Sequence, residues 1–141
     1  MSRWLSGLQP WGAFLMRLVL GISMAYHGWD KVIPARGLRS HDLLSALHHY
    51  CGYVASLGLP YWLGYVSALT EFLGGILLVV GLFTRFAALM VAGNMLVALF
   101  YVNRHQGYSG SQYTLALIAL AVMLLFYGSG AAAMDRRMGL A

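Results

Sequence analysis

The sequence places one carboxylate inside a long apolar stretch, and this residue is the first candidate for chemistry. Glu71 lies near the middle of the segment from Tyr61 to Arg85. A segment of this length and composition spans a bilayer as a helix, because about 20 apolar residues cross a hydrocarbon core of about 30 Å. A charge at that depth costs on the order of 2.5–3.5 kcal/mol on insertion scales. Glu71 is therefore predicted to face protein or water and to have a partner.

Arg17 and Asn94 are the polar residues that could meet Glu71. A helical rise of 1.5 Å per residue puts Arg17 about 9 Å into the first apolar segment, and Glu71 and Asn94 about 13–15 Å into theirs. We predict that Arg17 pairs with Glu71 and that Asn94 forms a hydrogen bond beside them. The pair could lock two helices together, or Glu71 could accept a proton during a reaction. Burial and the arginine act on its protonation in opposite directions, so both interpretations stay open.

The histidines form a second candidate cluster, because all of them fall in the loops and helix ends on the side of the membrane opposite the termini. Imidazoles are common metal ligands and titrate near neutral pH. No spacing among them matches a zinc or haem motif, so no metal is assigned. The alternative is that they sit at the membrane interface with a polar tip in water. The residues of this layer are His27, His41, His48, His49 and His105, together with Asp30, Asp42, Cys51, Tyr53, Tyr108 and Gln112.

Three of these side chains define the more specific possibilities. His48 and Cys51, at positions i and i+3, could present two ligands on one helix face, as could His41 and His48 two turns apart. His27 is the strongest candidate for proton handling, because it sits at the mouth of the first span beside Asp30 and Lys31.

The composition identifies the class of protein that must position these residues. The chain has 141 residues, of which 60% are hydrophobic and only 9% charged, whereas soluble domains are roughly 25% charged. This is typical of an integral membrane protein. The net charge of +5 then reflects basic residues that flank membrane spans, and no nucleic-acid-binding motif is present. The single cysteine, Cys51, excludes an internal disulfide and is interpreted as a buried thiol or an intermolecular partner.

The apolar pattern predicts an all-α fold in a single domain, a left-handed four-helix membrane bundle with both termini on one side. The spans are predicted at residues 11–29, 61–81, 86–102 and 112–130, and an amphipathic helix at 41–57 lies at the interface between spans one and two. Gly21 and Ala25 in span one, and Ala88 and Ala92 in span three, form small-residue packing faces. Spans two and three form a tight hairpin around Thr84-Arg85, and a polar loop covers Asn103 to Ser111. Basic residues are nearly balanced between the two sides, and we predict cytoplasmic termini.

Several segments together resemble one family of membrane proteins. The similarity covers most of the chain, and its charged residues occur in the family's order, separated by about the length of a membrane span. The sequence resembles the DoxX family in Arg17-Leu18-Val19-Leu20-Gly21, His27-Gly28 and Lys31, in Glu71-Phe72-Leu73-Gly74-Gly75 and Gly81-Leu82-Phe83-Thr84-Arg85, in Ala87-Ala88 and Asn94-Met95, and in Gly128-Ser129-Gly130 before Asp135.

This resemblance implies a four-helix membrane bundle. For some relatives it also implies quinone-linked oxidation of sulfur compounds, as in the DoxD-type subunit of thiosulfate:quinone oxidoreductase. Other distant relatives look like membrane chaperones or cargo receptors. The chain departs from the pattern at the start of span four, where many relatives have a glutamate and this chain has Gln112-Tyr113.

We therefore predict a quinone-reactive membrane subunit linked to oxidation of thiol or sulfur compounds. Candidate catalytic residues are Glu71, His27 and Arg17, and candidate cofactor-binding residues are Asn94, Trp29 and Lys31. The chain has no flavin, haem or iron–sulfur motif, so electrons come from a partner protein or directly from substrate. The histidine-rich face is a candidate surface for such a partner, and oligomerisation is left open. The alternative is a non-enzymatic assembly factor, chaperone or anchor of a larger complex, and a transporter is a third possibility.

Overall fold

A computed structural model describes residues 2–33 and 44–140, and within them the chain is helical. The helices are α1 (Ser2–Val32), α2 (Ser45–Ser56), α3 (Tyr61–Val80), α4 (Thr84–Tyr101), α5 (Gly107–Tyr127) and α6 (Met134–Arg137), with a 3₁₀ turn at Asn103–His105. The predicted beginning of the amphipathic helix, including His41 and Asp42, lies outside the described residues, as does the side chain of His105.

Four of the helices in the described part of the chain are long and apolar enough to cross a membrane. They are Gly7–Val32, Tyr61–Val80, Thr84–Tyr101 and Gly107–Tyr127. Their large outward-facing side chains are apolar, as expected for a surface in contact with lipid acyl chains. The predicted all-α membrane bundle is confirmed.

Glycines set the close packing of α1 against α3. A Cβ atom on Gly21 would lie 2.8 Å from the backbone nitrogen of Val79, and one on Gly75 would collide with the backbone of Ala25. Nearer the other end, a Cβ on Gly28 would collide with the backbone of Phe72. The predicted packing face at Gly21 and Ala25 is therefore confirmed, and these contacts fix the antiparallel register of the two helices.

The main apolar core lies between α4, α5 and the inner faces of α1 and α3. Ala88 is fully buried and Ala92 is nearly so, which confirms the predicted packing face of the third span. The core consists of Leu20, Met24, Leu78, Ala87, Ala88, Val91, Ala92, Met95, Leu117, Ala121 and Leu124. Away from it, α2 packs on α3 through Leu47 and Cys51.

The hairpin between α3 and α4 turns at Gly81–Phe83, with Thr84 and Arg85 already in the first turn of α4. Gly81 has φ 75° and Phe83 has φ 49°, a left-handed region that glycine adopts readily and phenylalanine does not. Asp135 stabilises the turn, because its carboxylate accepts hydrogen bonds from the backbone N–H groups of Phe83 at 2.6 Å and Thr84 at 2.8 Å. The acid thus caps the N-terminus of α4 from a distant part of the chain.

Arg17 does not pair with Glu71, and that prediction is wrong. Its guanidinium donates to the carbonyl oxygens of Ser129, at 2.6 Å, and Ala132, at 3.3 Å. The reason is the register of α1 on α3. The Arg17 guanidinium lies against Gly81, whereas Glu71 is ten residues earlier in α3, about 15 Å along the helix axis.

The ends of the last spanning helix also differ from the prediction. Gly107–Ser111 was predicted as loop but forms the beginning of α5. At its other end the helix stops at Tyr127 instead of continuing to residue 130, since Gly128 adopts φ 78° and ψ −158°. The segment that follows runs back under the bundle, where the Ala131 N–H donates to the Pro10 carbonyl at 2.8 Å.

Candidate functional site

A cavity of about 580 Å³ opens among the helices on the side of the bundle opposite the termini. This volume lies within the range of about 300–1,000 Å³ typical of small-molecule sites. Residues from α1 to α5 line it, and most of the lining side chains are apolar. More than half of the polar lining residues lie on α1, α2 and α3: His27, Lys31, Tyr50, Tyr53, Ser67, Thr70 and Glu71. The others are Asn94, Tyr101, Asn103, Tyr113 and Thr114.

Glu71 is the buried centre of this polar group, with 3% of its surface exposed. Lys31 donates to its Oε2 atom at 2.5 Å, and Asn94 donates to its Oε1 atom at 2.9 Å. The predicted contact between Asn94 and Glu71 is therefore confirmed, and the cationic partner of Glu71 is Lys31. Both carboxylate oxygens have a donor, which is what a buried carboxylate requires.

Lys31 is held in place by helix α2. Its Nζ atom lies 3.3 Å from the Tyr50 hydroxyl and 4.4 Å from the centre of the Tyr50 ring. The Tyr50 hydroxyl in turn forms a hydrogen bond with Ser67 at 2.9 Å. A continuous polar chain thus runs from Asn94 through Glu71, Lys31 and Tyr50 to Ser67.

His27 and Tyr113 form a second polar pair on the cavity wall. The Nε2 atom of His27 lies 3.2 Å from the Tyr113 hydroxyl, and either group can donate according to the tautomer of the imidazole. Tyr113 follows Gln112, the position at which the chain departs from the family pattern. The pair gives the cavity wall a site that can both donate and accept a hydrogen bond.

The structure brings together four of the six predicted site residues, namely Glu71, His27, Lys31 and Asn94. Trp29 does not line the cavity, since it is 51% exposed and its ring packs beside Phe72 on the outer face of α1. Arg17 lies at the opposite end of the bundle. Each predicted residue on α1 was placed by its chain position alone, which does not fix the face of the helix on which it lies.

Sequence reasoning missed Tyr50, Ser67 and Tyr113. In the predicted helix at 41–57, the spacing of Leu47, Tyr50 and Val54 puts Tyr50 on the apolar face, which is consistent with the position of its ring under Lys31. Its hydroxyl, however, reaches the polar chain. A tyrosine on the buried face of an interfacial helix, opposite a predicted intramembrane carboxylate, was the available signal.

The remaining cluster predicted from histidines does not assemble into a metal site among the described residues, where no three His, Cys, Asp or Glu side chains converge. The His48 ring packs on Tyr65 in an edge-on geometry. Cys51 is fully buried against Gly64, and this burial raises the pKa of the Cys51 thiol. The thiol is therefore protonated and poorly nucleophilic at neutral pH.

These features define a class: a multi-pass membrane protein whose helices enclose an apolar cavity with a charged, hydrogen-bonded inner end. Comparison with known proteins identifies the family. The DoxX family model matches residues 12–104, and the chain belongs to that family.

Two curated relatives align along nearly the whole chain. The protein named "Putative oxidoreductase CatD" of Bacillus subtilis (strain 168) is 27% identical over 125 residues, which cover 88% of this chain and 84% of the relative. "Inner membrane protein YqjF" of Escherichia coli (strain K12) is 26% identical over 133 residues, 92% of this chain and 93% of the relative. No solved structure matches the chain.

Proposed function

We propose that this protein is a quinone-reactive membrane subunit that takes part in the oxidation of thiol or sulfur compounds. The observation that carries the proposal is the cavity, whose walls are apolar and whose inner end holds Glu71, Lys31 and Asn94. A name that includes the word oxidoreductase, given to a relative 27% identical, supports the same reaction class.

The chemistry of the lining fits a membrane quinone. A quinone, when bound, accepts two electrons and two protons, which oxidation of two thiols to a disulfide would supply. Quinone oxygens need hydrogen-bond donors, and Lys31, Asn94 and Tyr113, which line the cavity, carry N–H or O–H groups. The apolar walls suit a ring and its chain, as expected for a site that buries most of its ligand.

The proposed roles of the residues follow from their positions. Glu71 and Lys31 exchange a proton at the buried end, where their 2.5 Å contact permits direct transfer. His27 and Tyr113 handle a proton at the second polar position on the wall. Tyr50 orients Lys31, and we assign Arg17 a structural role because it lies outside the cavity. Electrons come from substrate or from a partner protein, for which the histidine-rich side remains the candidate surface.

The test is to purify the protein gently from its native membrane, extract its lipids and measure bound quinone by absorbance. We expect about one quinone per chain in the wild type and loss of it in Glu71→Gln, which keeps the shape of the side chain and removes its charge. Asp30→Asn is the matched control, because it makes the same chemical change on α1 at a residue that does not line the cavity. It should retain the quinone.

Absence of quinone above the lipid background in the wild type would contradict the proposal. If another membrane protein co-purified in that case, the alternative of an assembly factor or anchor subunit would replace it. If Glu71→Gln retained the quinone, the protein would still be a quinone-binding protein, but Glu71 would not be needed to bind the quinone.

We further propose that the termini face the cytoplasm. By sequence, the basic residues of the loops on the far side are Lys31, Arg36, Arg39 and Arg104, but Lys31 donates to Glu71 in the cavity, which leaves three to count there. The termini side has four such residues, Arg3, Arg85, Arg136 and Arg137. Positive residues accumulate on the cytoplasmic side. A reporter fused after Leu140 that is active only in the cytoplasm should therefore be active, and an inactive reporter would reverse the orientation.

A further inference from the structure

The cavity wall is open on the lipid-facing side of the bundle, between α3 and α4. Val66 on α3 and Met90 and Val97 on α4 all line the cavity. They are also 40%, 37% and 42% exposed, respectively. All three lie within helices that span the membrane. Side chains that face both the cavity and the surface at this depth mark an opening toward the bilayer.

The opening arises because α3 and α4 separate after their shared turn. Near the turn they touch, with Gly74 placing a virtual Cβ 3.5 Å from the side chain of Val91. Further from the turn, α3 lines the cavity from Leu63 to Glu71, and α4 does so from Leu89 to Tyr101. The two helices therefore stand on either side of the cavity over much of their length.

The chemistry changes along the line from this opening to the inner end. The rim is formed by apolar side chains, and the inner end is formed by the hydrogen-bonded group of Glu71, Lys31 and Asn94. A ligand that satisfies both regions has a polar head and an apolar chain. A water-soluble molecule would gain nothing from contact with the apolar rim. A molecule dissolved in the bilayer could pass the rim without leaving a hydrophobic environment.

We infer that the cavity is reached from the bilayer through the gap between α3 and α4, and that its ligand is an amphiphile whose apolar chain lies in this gap. The inference about the ligand's head rests on the proposed function, whereas the inference about the route rests on the geometry of the gap alone.

Gly93 is the residue that keeps the gap open on the α4 side. It is the tenth of the eighteen residues of α4, next to Asn94, and it is exposed and lines the cavity. A Cβ atom built on it would meet nothing within 4 Å. Glycine is less favourable than alanine inside a helix, and here no close helix contact explains its presence. Since a Cβ here is free of contacts, we expect a leucine side chain at this position to extend into the gap.

Gly12 provides the matched control. It lies inside the membrane-spanning part of α1, and a Cβ there also meets nothing within 4 Å. It does not line the cavity. Gly12→Leu therefore makes the same substitution in a membrane helix, on an open surface, without touching the gap.

The experiment reconstitutes the full chain in phospholipid nanodiscs and measures access with a headgroup-free probe, a decyl chain that carries a photoreactive diazirine. After irradiation, mass spectrometry locates the adducts. Met24 and Leu117 line the cavity but are only 1% and 4% exposed, so they can be labelled only from inside it. We expect adducts on them in the wild type and in Gly12→Leu, and their loss in Gly93→Leu.

Adducts confined to the outer surface in the wild type, or unchanged adducts on Met24 and Leu117 in Gly93→Leu, would overturn the route. Binding of benzoquinones with and without a decyl chain, measured on the same three proteins, tests the ligand. Gly93→Leu should weaken the decyl compound by about tenfold and leave the compound without a chain unchanged. Equal weakening of both compounds would contradict the placement of the chain in the gap.

The two proposals fail separately in this design. If neither quinone bound the wild type while the diazirine labelled Met24 and Leu117 in the expected pattern, the proposed function would be rejected and the route from the bilayer would stand. If both quinones bound and the diazirine did not label these residues, the route from the bilayer would be rejected and the proposed function would stand.

Discussion

The two ends of the bundle handle buried charge differently. At the termini side, Arg17 donates to backbone carbonyls of the segment after α5, and Asp135 of the same segment caps α4. These groups sit among close backbone contacts at Gly81 and Gly130. At the other end, Glu71 and Lys31 are bonded to side chains, and those side chains border a cavity of about 580 Å³. The first arrangement leaves little room for a ligand, whereas the second has polar groups that a ligand can reach.

This difference distinguishes a charge bonded to the backbone from a charge bonded to side chains. A guanidinium bound to main-chain carbonyls is part of the fold, since its partners cannot move without moving the chain. A carboxylate bound to a lysine and an amide can exchange partners, because each partner is a side chain with rotamers of its own. The comparison predicts large effects on stability at the Arg17 end and smaller effects on stability, with larger effects on binding, at the Glu71 end.

The largest expected effect on stability is that of Arg17→Met. The substitution removes the guanidinium donor of the Ser129 and Ala132 carbonyls and the attraction between this guanidinium and Asp135. Hydrogen bonds to charged groups are worth about 1.5–3 kcal/mol each, so we expect the free energy of unfolding to fall by about 3 kcal/mol or more. Thermal unfolding in detergent measures the effect, and bound quinone per folded chain should not change. A loss of quinone from protein that remains folded would show that the two ends are coupled.

The second prediction concerns the pair of Lys31 and Glu71. Lys31→Met leaves a buried carboxylate with Asn94 as its hydrogen-bond donor and should cost about 1–3 kcal/mol. Adding Glu71→Gln should recover part of that loss, because the unpaired charge is then removed. A double-mutant cycle measured by unfolding in detergent should therefore show coupling between these two residues.

The same cycle on Arg17 and Glu71 provides the control. These residues share no partner and lie about 15 Å apart along the helix axis, so their effects should add within about 0.5 kcal/mol. Strong coupling of Glu71 to Arg17, without coupling to Lys31, would contradict the pairing seen in the structure.

The third prediction is that Tyr50→Phe has a moderate effect. The variant keeps the ring beneath Lys31 and loses the hydroxyl that joins Lys31 to Ser67. We expect a loss of about 0.5–1.5 kcal/mol in stability and weaker binding of quinone, since Lys31 is less firmly oriented. Tyr53→Phe is the control, because Tyr53 lies on the same helix and lines the cavity but does not contact Lys31. Equal effects of the two variants would show that Tyr50 does not orient Lys31 through its hydroxyl.

The elements of the fold could be predicted from sequence more fully than the partners within it. Long apolar segments, the hairpin at Gly81 and the packing faces at Gly21 and Ala88 are local patterns whose physical meaning does not depend on the rest of the chain. That Glu71 needs a partner could also be predicted from its own segment. Which residue is the partner could not be predicted, because it depends on the register of α1 on α3. The close backbone contacts at Gly21, Gly28 and Gly75 determine this register.

The cavity illustrates the same limit. Asn94 and Glu71 could be placed at similar depth by counting residues, and they do meet. Tyr50 could not be placed, because the position of α2 against the bundle follows from contacts such as that of Cys51 with Gly64. Such contacts join distant segments and leave no periodic pattern in the sequence.

The smallest expected effect is at Cys51, which lies at the same end of the bundle as the cavity but does not line it. Its thiol is fully buried, and burial raises its pKa, so a maleimide should react slowly with native protein at neutral pH and rapidly after unfolding in detergent. The sign of the pH effect follows. Between the ordinary thiol pKa of about 8.5 and the raised value, the native state holds a proton that the unfolded state has lost. Stability should therefore fall as pH rises above that ordinary value.

Cys51→Ala should remove this contribution to the pH dependence and leave the other contributions in place. Unfolding in detergent measured from neutral to alkaline pH checks the difference between the two proteins. Rapid maleimide labelling of the native wild type would mean that α2 separates from α3 in solution. In that case Tyr50 would also leave Lys31, and the ordered network at the inner end of the cavity would exist for only part of the time.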